Sequence, residues 1–212
     1  MSQNQINPVL LARGISGIPE SKSVSEFQER CGIASRRIAL ELLDFLSSRN
    51  IGKISGNRIE FDHKDKLRLA LVALCRGCRP EILSSKIDWK DFELFTLLML
   101  QKNAYRCEHN VSFTRPRIQI DLVAKYGRTC LIIDCKHWHG MSPSIMNRCA
   151  NGQLRRAKVY LEKTKASFRL FPIIVTLNEM APKAINGVPF VPISKLDGFL
   201  QDCQYFYPEV SG

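Results

Sequence analysis

The stretch Arg117–Trp138, RIQIDLVAKYGRTCLIIDCKHW, decides the fold. Two short runs with alternating apolar residues flank Gly127-Arg128, a Gly-X pair suited to a tight hairpin turn. In the first run Ile118, Ile120, Leu122 and Ala124 share one face, so Gln119 and Asp121 point to the other. In the second, Leu131, Ile133 and Cys135 share a core face, which leaves Asp134 and Lys136 together opposite. With Gly127-Arg128 as a two-residue turn, Tyr126 faces Thr129, and counting back in step brings Asp121 opposite Asp134. Side chains so paired stand about 4.5–5.5 Å apart at Cβ, and like charges there repel. The pair calls for a cation, and Lys136 lies roughly 6–7 Å further along the same face.

In the plainer reading these acids sit on the solvent face of an amphipathic hairpin, with Lys136 as their salt bridge. The run Cys130-Leu131-Ile132-Ile133 argues otherwise, because it reads as a strand buried on both sides. Acids emerging from such a strand are costly unless a metal or partner compensates them. Asp121, a hairpin, and then Asp134-Cys135-Lys136 resembles the PD-(D/E)xK nuclease superfamily, which includes restriction endonucleases and archaeal Holliday-junction resolvases. With flanking elements the resemblance covers roughly residues 89–200, although Ile120 stands where that signature often has proline.

The resemblance implies that Asp121, Asp134, the backbone carbonyl of Cys135 and an acid from a preceding helix hold Mg²⁺ or Mn²⁺. It further implies that Lys136 orients or activates a water. The preceding helix is DWKDFELFTLLMLQKN, residues 88–103, apolar on nearly every side and capped by Asp88. Glu93 lies between Trp89 and Leu97 at four-residue spacing, where a carboxylate must be paired, neutral or metal-bound. Glu93 is therefore the candidate third acid, with Asp91 as competitor. CEHNVSF supplies a first strand, and a basic helix follows the hairpin over SIMNRCANGQLRRAKVYLEKTK. Gln153, Arg156, Ala157 and Tyr160 fall on one face of that helix. By resemblance Gln153 assists at the site, while Arg155, Arg156 and Lys158 are expected to contact phosphates. RLFPIIVTLN reads as an interior strand and GVPFVPIS as an edge strand, because Pro189 and Pro192 cannot donate to a ladder. A last short helix is expected after Ser194.

Residues 24–62 read as a winged helix-turn-helix. VSEFQERC is a short helix, Gly32-Ile33 a turn, and Ser35 the cap of a second helix whose inner face carries Ile38, Leu42, Phe45 and Leu46. IGKISGNRIEFD alternates around Gly56-Asn57 and forms the wing, and a helix starts at Asp65. In this docking mode Ser35, Arg36 and Arg37 enter the major groove of double-stranded DNA. A winged helix used for protein contacts is the other reading.

Charge agrees with an anionic partner. The chain of 212 residues carries a formal net charge of +11. Residues 1–86 hold 14 Lys and Arg against 9 Asp and Glu, and residues 87–212 hold 17 against 11, so both parts are basic. No apolar run is long enough to span a membrane. The start MSQNQINPVLLARG has no charged segment before an apolar core, so a cytoplasmic protein with its eight cysteines reduced is expected. Cys75-x-x-Cys78 lacks a second ligand pair at zinc spacing and sits where a helix ends at Gly77.

The expected architecture is α/β: a winged-helix domain over 1–85, then a restriction-endonuclease-like αβββαβ core with a mixed sheet over 86–212. The expected activity is metal-dependent hydrolysis of DNA phosphodiesters, with a homodimer compatible. The alternatives are a DNA-binding regulator with an inactive nuclease-like domain and a junction resolvase.

Overall fold

A computed structural model describes residues 6–138, 140–165 and 169–206, with side chains as far as residue 202. The chain divides into two compact units, Met1–Asp88 and Trp89–Gly212.

The first unit holds α1 (Pro8–Gly14), α2 (Val24–Arg30), α3 (Arg36–Ser48), β1 (Lys53–Ser55), β2 (Arg58–Glu60), α4 (His63–Cys75) and α5 (Pro80–Ser84). Phe27 of α2, Leu42 and Leu46 of α3 and Leu69 of α4 are fully buried and form its centre. A tight turn joins β1 to β2, which pair from Ser55–Arg58 to Lys53–Glu60, with Gly56 at a φ of 61°. Ser35 occupies the N-cap position of α3, but its hydroxyl makes no capping bond. Helix α4 starts two residues earlier than the sequence pattern suggests. Asp62 caps it by accepting from the N–H groups of Lys64 and Asp65, and Asp65 returns a bond to the Asp62 N–H.

The second unit holds α6 (Trp89–Lys102), β3 (Arg106–Thr114), β4 (Arg117–Tyr126), β5 (Thr129–Lys136), α7 (Pro143–Thr164), β6 (Arg169–Thr176), β7 (Ala184–Ile185), β8 (Val188–Pro192) and α8 (Leu196–Phe206). The sheet order is β3-β4-β5-β6-β8-β7. Strands β3, β4 and β5 form an antiparallel meander, β5 and β6 run parallel through the α7 crossover, and β6 runs parallel to β8. This is the αβββαβ order, and the mixed sheet matches the expected restriction-endonuclease-like fold.

Helix α7 covers one face. Its Ala157 and Tyr160 pack on Val123, Cys130, Ile132 and Leu170. Helix α6 packs against β3, β4 and β5 and also contacts α8. Every residue of β5 from Thr129 to Asp134 is buried, as a strand covered on both faces must be. Ser142 caps α7 by accepting from the Ile145 N–H, with Pro143 in the first turn.

Two local expectations change. β8 is not the edge, because β7 pairs with it through Ala184–Pro189 and Ile185–Val188. A two-residue strand asks little of its neighbour's N–H groups, which is how the prolines are tolerated there. Ser194 lies in a short 3₁₀ turn, Ile193–Lys195, that leads into α8, so it does not cap that helix.

Candidate active site

The turn at Gly127-Arg128 sets the register of the central hairpin, and Tyr126 faces Thr129 as the sequence predicts. Gly127 takes a φ of 56°, a value that suits glycine in the first turn position. The ladder runs from that pair to Leu122–Ile133 and ends one step before Asp121 and Asp134. Beyond it the Cys135 N–H donates to Asp121 Oδ2 at 2.8 Å. The two acids therefore sit where the strands part.

The other neighbour of β4 is interrupted at the same level. Strand β3 pairs with β4 on both sides of Asn110, whose φ is 56°, but not at Asn110 itself. In step with those pairs, Asn110 lies opposite Asp121. Strict alternation breaks there. Ile120 and Val123, three residues apart, belong to one buried cluster with Val111, Phe113 and Ile118 packed against it. Alternation from the sequence puts Ile118, Ile120, Leu122 and Ala124 on one face, whereas here Val123 shares the cluster of Ile118 and Ile120. Asn tolerates a positive φ, which is the available signal.

Asp134 is 2% exposed. Lys136 Nζ donates to its Oδ1 at 3.0 Å and lies 2.9 Å from Oδ2, yet Oδ2 is buried without a hydrogen bond. Its distance to the ammonium is short, but the angle does not make a bond. Asp121 is partly buried, and burial, followed by the Asp134 charge, raises its carboxyl from the ordinary 3.8 to about 6. Burial works to lower the Lys136 ammonium, but Asp134 and then Asp121 outweigh it and leave it raised. The Cys135 thiol is pushed well up by burial and by the neighbouring acids, so it is no nucleophile.

The remaining expected residues divide. Glu93, on α6, borders the pair closely enough to raise Asp121, but its Oε2 is taken by His109 Nε2 at 3.1 Å. Gln153 is fully buried and donates to the carbonyls of Ile132 at 2.6 Å and Ile173 at 3.1 Å. It thereby clamps β5 to β6. Arg156 is bound inside the fold: Nε donates to Gln119 O at 2.9 Å, Nη1 to Gln153 Oε1 at 3.4 Å, and Nη1 lies 3.7 Å from Asp134 Oδ1. Arg155 and Lys158 are exposed on α7. Of the residues expected on DNA from the first unit, Arg36 and Arg37 are both exposed. Arg36 donates to Ser25 Oγ at 3.2 Å and Asn57 Oδ1 at 3.4 Å, and Ser35 is half-buried. Trp138 is partly exposed, with Lys136 Nζ 5.6 Å from its ring centre, and His139 lies outside the described residues.

An all-oxygen set of two carboxylates and the Cys135 carbonyl suits a hard divalent cation. The unbonded buried oxygen of Asp134 is the atom such an ion would satisfy. Among the described residues no three His, Cys, Asp or Glu side chains gather closely enough to hold a metal, so Glu93 is not assembled with the two aspartates. Cys75 is exposed and Cys78 buried. No helix among the described residues is long and apolar enough to cross a membrane.

Residues 89–175 match the family model described as NERD, nuclease-related domain. That segment runs from the start of α6 to the last residues of β6 and contains Asp121, Asp134 and Lys136. It bears out the resemblance to PD-(D/E)xK nucleases. A comparison with curated proteins found no match. Among solved structures, the chain is similar to protein VC1899 from Vibrio cholerae, with 15% identity, 94% of this chain and 51% of that one covered, and a TM-score of 0.40. It thus spans about half that protein's length. It is also similar to the small subunit of the heterodimeric restriction endonuclease R.BspD6I, with 11% identity, 68% and 80% coverage, and a TM-score of 0.38.

Proposed function

We propose that the nuclease-related domain of residues 89–175 is a metal-dependent DNA endonuclease, and that the first unit holds the duplex as a winged helix. The observation that carries this reading is the buried, hydrogen-bond-free Oδ2 of Asp134, placed beside a second carboxylate and a lysine. Asp121, Asp134 and the Cys135 carbonyl would hold Mg²⁺ or Mn²⁺. The chemistry supplied by the bound ion is a lowered pKa for its water and stabilised charge on the scissile phosphate. Lys136 holds its ammonium against Asp134 and offsets the charge that develops on the phosphate. Gln153 and Arg156 keep the ends of β4 and β5 at their separation, so the two acids stay in place without strand pairing. Exposed Arg37, Arg155 and Lys158 supply phosphate contacts.

The test is plasmid nicking by the purified chain. Supercoiled DNA should be nicked with Mg²⁺ or Mn²⁺ and left intact with EDTA, and neither Asp121→Asn nor Asp134→Asn should cut. Nicking by those variants at the wild-type rate would remove the assignment. A protein that binds the duplex but never nicks it is instead a DNA-binding regulator.

A further inference from the structure

The hairpin of β3 and β4 extends past the point where β4 leaves β5, since β4 starts at Arg117 but pairs with β5 only from Leu122. Its two faces differ. Val111, Phe113, Ile118 and Ile120 pack into the core under α7. The alternate residues Asn110, Ser112, Thr114, Arg117 and Gln119 line an open cleft of about 860 Å³, to which Phe113 and Ile118 add apolar wall. No acidic residue lines it. At its inner end Gln119 Nε2 donates to Asn110 Oδ1 at 3.1 Å, and these two residues flank Asp121. At its outer end the turn carries Arg115 and Arg117, both exposed and in no ion pair among the described residues.

We propose that this hairpin is an arm that grips the backbone of the DNA strand running into the acid pair; the inference rests on the nuclease reading above. A strand rises about 3.3 Å per residue, so Arg117 stands roughly 13 Å from Asp121 along β4. Projected on a duplex axis, that length spans about four phosphates of one strand, which are spaced about 3.4 Å along the axis. The cleft offers a phosphate-sized ladder of polar groups, Gln119, Ser112 and Thr114, ending in two cations. Contacts to the phosphate backbone position a strand without reading its bases, so an arm of this kind contributes affinity and register and not sequence preference.

The experiment titrates the full-length chain into one labelled duplex, without divalent metal, at several salt concentrations, reading fluorescence anisotropy. Arg115→Ala with Arg117→Ala should weaken binding at least tenfold at low salt and flatten the log-affinity slope by roughly 0.9 per lost contact. Arg115→Lys with Arg117→Lys should restore most of the slope. A control lacking Lys163 and Lys183, exposed charges away from the cleft, should bind as wild type. Affinity and slope of the double-alanine variant equal to that control overturn the arm. Thermal melts of all variants check that the fold is intact. Metal-dependent nicking is read separately: its absence in wild type removes the nuclease reading, whereas the binding comparison alone decides the arm.

Discussion

Asp65 in the first unit and Asp134 in the second are equally buried, each 2% exposed, yet their surroundings are opposite. Asp65 Oδ2 accepts from the Gly52 N–H at 3.1 Å and the Asp62 N–H at 2.8 Å, and its Oδ1 meets Arg68 Nη1 at 2.8 Å. Those bonds pin the approach to the β1–β2 hairpin onto the start of α4. Asp134 faces another carboxylate, shares one lysine and keeps an oxygen unbonded. Burying a carboxylate is costly in both places; Asp65 has hydrogen-bond donors on both oxygens, whereas Asp134 has ion pairs with Lys136 and Arg156 but one oxygen without a hydrogen bond. A fully bonded buried acid holds structure together, whereas one left short of a donor has an oxygen that an outside ligand could satisfy.

The largest expected effect breaks that comparison at both ends. Asp134→Asn should abolish metal-dependent cutting while its melting temperature stays equal to wild type or rises, and DNA affinity should hold or tighten slightly. Asp65→Asn should do the reverse: about 1–3 kcal/mol of stability lost, because one partner of a satisfied buried set is removed, with nicking per folded molecule unchanged. Melting curves and plasmid assays on both variants read this. A destabilised Asp134→Asn that still cuts would invert the argument.

Next comes Lys136, the cation that the second site shares between two acids. Lys136→Ala should slow nicking by about 100-fold or more, in the range a positioned polar catalytic group contributes. It should still bind Mn²⁺ in a calorimetric titration, because an ammonium is not a ligand. Loss of metal binding together with activity would give Lys136 a different role.

How far these surroundings could be read from sequence differs between them. The turn, the register and the convergence of Asp121, Asp134 and Lys136 were legible, because a two-residue turn and a period of two are local rules. The twist at Asn110 was not, since it depends on a positive φ in the neighbouring strand. Gln153 and Arg156 were visible as one helix face, but their partners were not. Which carbonyls they reach is settled by how α7 lies on the sheet, and helix periodicity carries no information on that. Glu93 was found as an uncomfortable carboxylate on an apolar helix. Its partner His109 comes from a strand sixteen residues on, beyond any local pattern. The prolines of β8 point to an edge because a missing N–H carries no information on how short the neighbouring β7 is.

A smaller effect concerns Asp121. Its folded-state pKa of about 6 lies above the ordinary 3.8, raised first by burial and then by Asp134. The contribution of a group raised in this way is fully present below the unfolded value and is lost as pH rises through the folded one. Metal-free protein in EDTA should therefore lose stability between about pH 4 and pH 6 relative to an Asp121→Asn variant, which has no carboxyl to ionise there. Parallel melting curves for the two proteins over that range would contradict the raised value.

The smallest effect extends the comparison to cations on one helix. Arg36 and Arg37 are exposed neighbours at the start of α3, but Arg36 is bonded to Ser25 and to Asn57 at the β1–β2 turn, whereas Arg37 meets Glu41 at 3.7 Å. By the same logic as the two aspartates, the first is tied to the scaffold, and the second, held by one exposed ion pair, is the better candidate for a phosphate contact. Arg36→Ala should cost about 0.5–1.5 kcal/mol of stability per hydrogen bond lost. Arg37→Ala should leave the melting temperature within error and lower the slope of log affinity against log salt by roughly 0.9, the mark of one lost phosphate contact. Thermal melts and anisotropy titrations of both variants on one duplex separate the two roles. If Arg37→Ala leaves the salt slope unchanged, the start of α3 does not face DNA, and the first unit is better read as a module for protein contacts.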